Sequence, residues 1–121
     1  MSLISIVDDD ASVRSGIENL LKAVGYATMS FASGEEFLAS PHVDDALCVL
    51  LDLRMRGMQG LEVQRHLNAE HRRIPVVFIS AHADDNTVER ALQHGAIGFV
   101  RKPFAEDKLL CLIELAIGRN A

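Results

Sequence analysis

Ala46-Leu-Cys-Val-Leu-Leu51 is an unbroken apolar run, and Asp52 follows it at once. A continuous run of this kind reads as a strand buried on both faces, which is what a parallel sheet requires. Outward from it, four more apolar runs punctuate the chain: Leu3–Val7, Tyr26–Phe31, Pro75–Ile79 and Ile97–Val100. Each of the five is followed by a helical pattern. After the first, Val13, Ile17, Leu20, Leu21 and Val24 recur on one helical face, and Gly25 stands where a helix end tolerates positive φ. The second run alternates and is more polar, as an edge strand should be. Ser33-Gly-Glu-Glu36 reads as a capping box opening a short helix that Pro41 stops. Leu61, Gln64 and Leu67 begin a helix with a basic end at His71, Arg72 and Arg73, as the helix dipole prefers. Val88, Ala91 and Leu92 share a face of the next helix, which Gly95 ends, and Asp107 to about Gly118 forms the last.

Five strands alternating with five helices predict an α/β fold: a doubly wound, five-stranded parallel sheet with helices on both faces. Right-handed crossovers leave few topologies, and the flavodoxin-like order 2-1-3-4-5 suits the chain best. The 121 residues make one domain, 1–121, long enough for a real core. Apolar residues are 49% and charged residues 24%, an ordinary globular balance. No apolar run approaches the length of a membrane span, and no signal peptide opens the chain. Seventeen acids against twelve Lys and Arg give a net charge of −5, which disfavours direct contact with nucleic acid. Cys48 and Cys111 both sit in apolar runs, and buried free thiols suit a reducing cytoplasm.

In such sheets, ligands bind beyond the carboxyl ends of the strands, where strand order reverses. The residues just past each run are therefore the candidates. They are Asp8, Asp9 and Asp10 after the first, Asp52 after the third, Ser80 and His82 after the fourth, and Lys102-Pro103 after the fifth. Asp10 is explained as a helix cap. The converging carboxylates repel one another unless a cation joins them, and an oxygen-only ligand set suits Mg²⁺, or Mn²⁺. An EF-hand is excluded, because the sixth residue counted from Asp8 is Val13 rather than Gly. A carboxylate beside such a cation can attack phosphorus to give an aspartyl phosphate. Lys102 and the Ser80 hydroxyl would balance the new phosphoryl oxygens. Taken singly, a strand-end serine is common, Phe99 reads as core, and His82 as a loop histidine.

Four motifs, Ile6-Val-Asp-Asp-Asp10, Asp52-Leu-Arg-Met55 with Gly60, Ile79-Ser80-Ala81 and Lys102-Pro103-Phe104, stand in order at four strand ends. With them the chain resembles the receiver domain of two-component response regulators over essentially its whole length. The wording around Asp52 and of Gly95–Phe104 is most similar to the nitrogen-fixation regulator type, whose receivers usually precede a LuxR-type DNA-binding domain. The resemblance implies Asp52 as phosphoacceptor, a histidine kinase as partner, and Mg²⁺ on Asp9, Asp52 and the Arg54 carbonyl, with Asp8 through water. It implies that Lys102 pairs with the phosphoryl group and that Ser80 and Phe99 move together. The surface of the fourth helix, fifth strand and fifth helix would then be remodelled, and Lys102-Pro103 would carry a cis peptide. Arg54 and His82 would flank the phosphoryl group and tune its lifetime, Arg54 either by holding an oxygen or by shielding it from water. Arg56 stands where relatives usually carry Pro, so a freer loop is expected there. The last helix has more apolar residues than one face needs (Leu110, Leu115, Ile117 beside Leu109, Leu112, Ile113, Ala116), which suits a partner, such as a phosphorylation-dependent homodimer, or a longer parent chain.

Other classes fit less well. A dehalogenase-type phosphatase with an Asp nucleophile places a second Asp where this chain has Arg54. A flavodoxin-like electron carrier needs a hydroxyl- and Gly-rich phosphate loop where Asp8–Asp10 stand. A receiver-like module that is never phosphorylated would be marked by loss of Asp9, Asp52 or Lys102, and all three are present. A stand-alone receiver acting by protein contact remains beside the DNA-binding reading.

Overall fold

The computed structural model describes residues 3–81 and 84–120, with the backbone alone at 119 and 120. Five parallel strands, β1 (Leu3–Val7), β2 (Ala27–Phe31), β3 (Cys48–Asp52), β4 (Val76–Ser80) and β5 (Gly98–Arg101), lie in the order β2-β1-β3-β4-β5. The five helices are α1 (Ala11–Ala23), α2 (Gly34–Ala39), α3 (Gly60–Ala69), α4 (Asp85–Gln93) and α5 (Glu106–Asn120); a single 3₁₀ turn, Val43–Asp45, precedes β3. This is the doubly wound arrangement expected from the spacing of the apolar runs.

β3 is buried along its whole length, and its side chains divide by parity. Val49 and Leu51 join Phe37 of α2, Val63 and Leu67 of α3 and Ala91 of α4 on one face. Cys48 and Leu50 join Ile17 and Leu21 of α1 and Leu109, Ile113 and Ala116 of α5 on the other. Period-two alternation along a central strand thus feeds two cores, one per helical layer.

The helix starts follow from local chemistry. Asp10 caps α1, its carboxylate accepting from the Ser12 and Val13 N–H groups at 2.8 and 3.4 Å. Ser33 caps α2 by accepting from the Glu36 N–H at 3.1 Å. The reach-back of Glu36 lands one residue earlier than a capping box requires, on the Ala32 N–H at 2.9 Å. The complete box belongs to α3 instead, where Gln59 and Glu62 exchange side chain-to-backbone bonds.

Three expectations are corrected. Cys48 is buried but Cys111 is exposed, because its position on α5 points away from the Leu109–Ile113–Ala116 stripe. Leu92 does not share the buried face with Ala91 and stays 45% exposed; Val24, past the end of α1, is 49% exposed. On α5, Leu110 and Ile117 are partly buried against the core, which leaves Leu115, at 48%, as the apolar excess.

Ser5 of β1 is 1% exposed, and its hydroxyl has no hydrogen-bond partner among the described residues. An unsatisfied buried hydroxyl costs stability that a methyl group does not. Ser5→Ala should therefore raise the unfolding free energy by about 1 kcal/mol; a urea midpoint lowered by the substitution would contradict this.

Candidate functional site

The parallel sheet delivers every strand's carboxyl end to one rim, and its hydrogen bonding runs one residue past the strands. The Asp8 N–H donates to the Phe31 carbonyl, Leu53 to Ile79, and Lys102 to Ser80, at 3.2, 3.1 and 3.0 Å. These bonds fix the backbone that carries each candidate side chain. The order β1-β3-β4-β5 then sets Asp8 beside Asp52, with Ser80 and Lys102 following along the rim.

Asp8 is fully buried and Asp52 is 4% exposed. Asp9 is half-buried beside them, and one carboxylate oxygen from each of the three lies within 4.8 Å of the others. The Lys102 ammonium answers this charge, donating to Asp8 Oδ2 at 2.7 Å and reaching Asp52 Oδ2 at 3.4 Å. The remaining oxygens are held by backbone: Asp8 Oδ1 accepts from the Asp10 N–H at 2.9 Å, and Asp52 Oδ1 from the Arg54 N–H at 3.3 Å.

Burial pushes the Asp52 carboxyl up to about 6, and the neighbouring Asp8 charge adds to the shift; Lys102 and the Arg54 N–H oppose it. Burial alone would depress the Lys102 ammonium, but the Asp8 hydrogen bond and the Asp52 charge outweigh it and hold it above the usual lysine value. Desolvation and a like charge both disfavour the ionised form, so added positive charge would stabilise this carboxylate. Three carboxylates at this spacing, hard oxygen donors only, fit one divalent cation of the Mg²⁺ class.

Ser80 ends β4 and is 1% exposed. Phe99, on β5, is partly buried against the core, and the Arg101 guanidinium lies 5.3 Å from the centre of its ring. The Lys102–Pro103 peptide is cis. The Arg54 side chain is exposed, and its charge reaches Asp84 at the start of α4. His82 lies outside the described residues.

The structure adds two residues that the sequence did not single out, Arg14 and Gln59, and gives Arg56 and Gly60 their contacts. The Arg14 guanidinium of α1 donates to the Asp8 carbonyl at 2.6 Å and so fixes the turn that presents the acids. The Arg56 N–H donates to Asp9 Oδ2 at 3.0 Å, a bond that a proline at this position would lack. Gln59 Nε2 donates to the Met55 carbonyl at 2.6 Å, so the loop expected to be freer is tied at both ends. Gly60 is required by close approach: a Cβ there would meet the Asp52 carbonyl and the Leu53 Cα. Arg14 and Gln59 carried no sequence signal, whereas Arg56 was marked as a departure from proline and Gly60 as part of the Asp52-Leu-Arg-Met55 motif.

The response regulator receiver domain model matches residues 4–114. Nodulation protein W of Bradyrhizobium diazoefficiens is 35% identical over 119 residues, covering 98% of this chain and 52% of that protein. The structure of response regulator StyR superposes with a TM-score of 0.91 at 42% identity, over 98% of this chain and 60% of that one. The FixJ-N structure does so with a TM-score of 0.87 at 32% identity, over 98% of this chain and 94% of that one. The chain spans about half the length of the curated relatives it matches. Likeness of this extent, on a sheet whose acids and lysine meet at its carboxyl rim, places the chain in the response regulator receiver domain family of two-component systems.

Proposed function

We propose that Asp52 is the phosphoacceptor of this receiver and that a histidine kinase is its donor. The observation that carries the reading is the Lys102 ammonium set between the Asp8 and Asp52 carboxylates. An Asp52 oxygen attacks the phosphorus of the donor phosphohistidine. The P–N bond breaks, the electron pair leaves with the imidazole, and an acyl phosphate remains on Asp52. No general base is needed, because an ionised carboxylate has no proton to lose. Lys102 exchanges its contact with Asp52 for one with a phosphoryl oxygen, and the Ser80 hydroxyl bonds another. Asp8, Asp9, Asp52 and the Arg54 carbonyl are the groups that would hold Mg²⁺, with Mn²⁺ as a substitute. When bound, the cation neutralises charge on the carboxylates and phosphoryl oxygens.

Arg54 and His82 flank the acceptor in this reading and tune the lifetime of the phosphorylated form. Movement of Ser80 and Phe99 reshapes the face of α4, β5 and α5. The domain is a phosphoacceptor switch that assists its own phosphorylation and slow dephosphorylation, working in the cytoplasm. No helix among the described residues is long and apolar enough to cross a membrane. The nitrogen-fixation-type, LuxR-type output that the sequence resemblance implies is our reading of the partner domain; the relatives' greater length, and a DNA-binding transcriptional regulator among them, support a DNA-binding output. A stand-alone receiver acting through protein contacts is the second reading, favoured by the half-exposed Leu92 and Leu115.

Incubation with acetyl phosphate and Mg²⁺ should add one phosphoryl group by intact mass. The gain should vanish in Asp52→Asn and with EDTA. Absence of the gain, together with no rise in melting temperature on adding Mg²⁺, would overturn the reading.

The raised Asp52 pKa makes a separate prediction for the metal-free protein. The native state holds this proton more tightly than the unfolded chain, so the stabilising contribution is complete below the unfolded value of 3.8 and gone above about 6. This contribution should thus fall as pH rises through that window. Asp52→Asn should flatten the profile and be more stable at neutral pH by about 1–3 kcal/mol. Identical profiles for the two proteins in urea would refute the shift.

The half-exposed Leu92 and Leu115 also lead us to place a phosphorylation-dependent homodimer on the α4–β5–α5 side. Light scattering should report a doubled mass with a beryllofluoride mimic and Mg²⁺; an unchanged mass would remove this part of the proposal.

A further inference from the structure

A cleft separates α3 from α4 on the side of the sheet away from α1 and α5. α3 presents Leu61, Gln64, Arg65 and Asn68 to it, steps of three, four and seven along one helical face. α4 presents Arg90 and His94, one turn apart. The hollow has a volume of about 340 Å³, and it continues past Asn68 and His94 into a second of about 380 Å³ walled in part by Arg72 and Arg73.

The charge of this cleft is opposite to that of the chain. Four of the twelve Lys and Arg line it on a protein of net charge −5, and no Asp or Glu is among the described lining residues. Arg72 is already committed to Asp44 and Glu70, at 2.8 and 2.7 Å. The Arg65 and Arg90 guanidinium groups have neither hydrogen-bond nor ion-pair partners among the described residues; Asp84 acts on Arg90 only from a distance. Two like charges bordering one hollow are stabilised by an anion between them.

The walls are also held in place. Gln64 is 3% exposed and donates to the Ala91 carbonyl at 2.9 Å, and Asn68 donates to the His94 carbonyl at 3.1 Å. Two side-chain amides of α3 thus fix the spacing to α4, so a ligand would meet a groove that needs little ordering. No Phe, Tyr or Trp is among the described lining residues, which removes the stacking platform that single-stranded nucleic acid uses. The overall negative charge works against any phosphate polymer as well. Carboxylates on a peptide suit the geometry better, since guanidinium groups pair with them in bidentate fashion and Leu61 supplies an apolar contact.

We propose that the α3–α4 cleft is a docking groove for an acidic peptide segment of a partner protein, with Arg65 and Arg90 clamping its carboxylates. The groove does not include Asp52 or Lys102, so binding is expected in the unphosphorylated chain and does not depend on the phosphoacceptor reading.

The test is an amide chemical-shift titration of the ¹⁵N-labelled chain with a capped hexaglutamate peptide. Saturable shifts should centre on Arg65, Asn68, Arg90 and His94 and weaken as salt is raised. Arg65→Glu with Arg90→Glu should weaken binding by about tenfold or more, and the milder Arg65→Gln with Arg90→Gln pair should weaken it in the same direction. Unchanged dispersion of the remaining amide signals would show that each variant is folded. Shifts that do not saturate, or that survive both double substitutions, would overturn the proposal. So would equal binding of inorganic phosphate, which would mark a small-anion site, or tighter binding of a six-nucleotide single strand, which would mark nucleic acid as the occupant.

Discussion

The site at the carboxyl rim turns on one ammonium group. Asp8 and Asp52 are carboxylates taken almost wholly out of water, and two such charges side by side are not tolerated without a counter-charge. Lys102 supplies it from β5, 94 residues further along the chain than Asp8. In the observed order β3 and β4 lie between β1 and β5, all parallel, and the lysine side chain spans the rim to reach both acids. The parallel sheet and the site are thus linked: the common carboxyl rim brings the two buried acids and their cation together.

The same constraint explains why the site sits ready rather than relaxed. Burial, with the Asp8 charge beside it, raises the Asp52 pKa, and Lys102 offsets only part of that; Asp9 has a second cation nearby, the Arg56 guanidinium at 3.8 Å. A protein selected for stability alone would replace such a cluster with apolar residues. Retaining it makes sense where positive charge arrives from outside and where a phosphoryl group can later share it. The backbone bonds to Asp8, Asp9 and Asp52 support this reading: they hold each carboxylate in orientation without neutralising it.

Most of this was legible in the chain. The Ala46–Leu51 run demands burial on both faces, and from that the parallel sheet, the common rim and the candidates Asp8, Asp9, Asp52, Ser80 and Lys102 follow by position alone. What the sequence left hidden depends on contacts between segments that periodicity does not encode. Arg14 and Arg56 act through one guanidinium and one N–H whose partners lie on other segments or turns. Leu92 fits a helical stripe on paper, but α4 is short and buries only Ala91, so the stripe is narrower than the pattern suggests. Cys111 was misread because an apolar run on a helix, unlike one on a central strand, must put some members outside.

The thin burial of α4 has a mechanical consequence. β3 is sealed along its whole length, whereas α4 is anchored to the core by one fully buried side chain. Elements with few buried apolar contacts open at lower free energy than sealed ones, so packing alone holds α4 less firmly than β3. It begins just past Ser80, it is tied to β5 by the Arg101–Asp85 pair at 3.6 Å, and it is tied to α3 by the Gln64 and Asn68 amides. The Gln64 and Asn68 bonds fix the spacing of α4 to α3, whereas the solvent-exposed Arg101–Asp85 pair adds little. The helix thus stands between the acidic rim and α3, joined to the core by Ala91 and Val88 and to α3 by two side-chain amides.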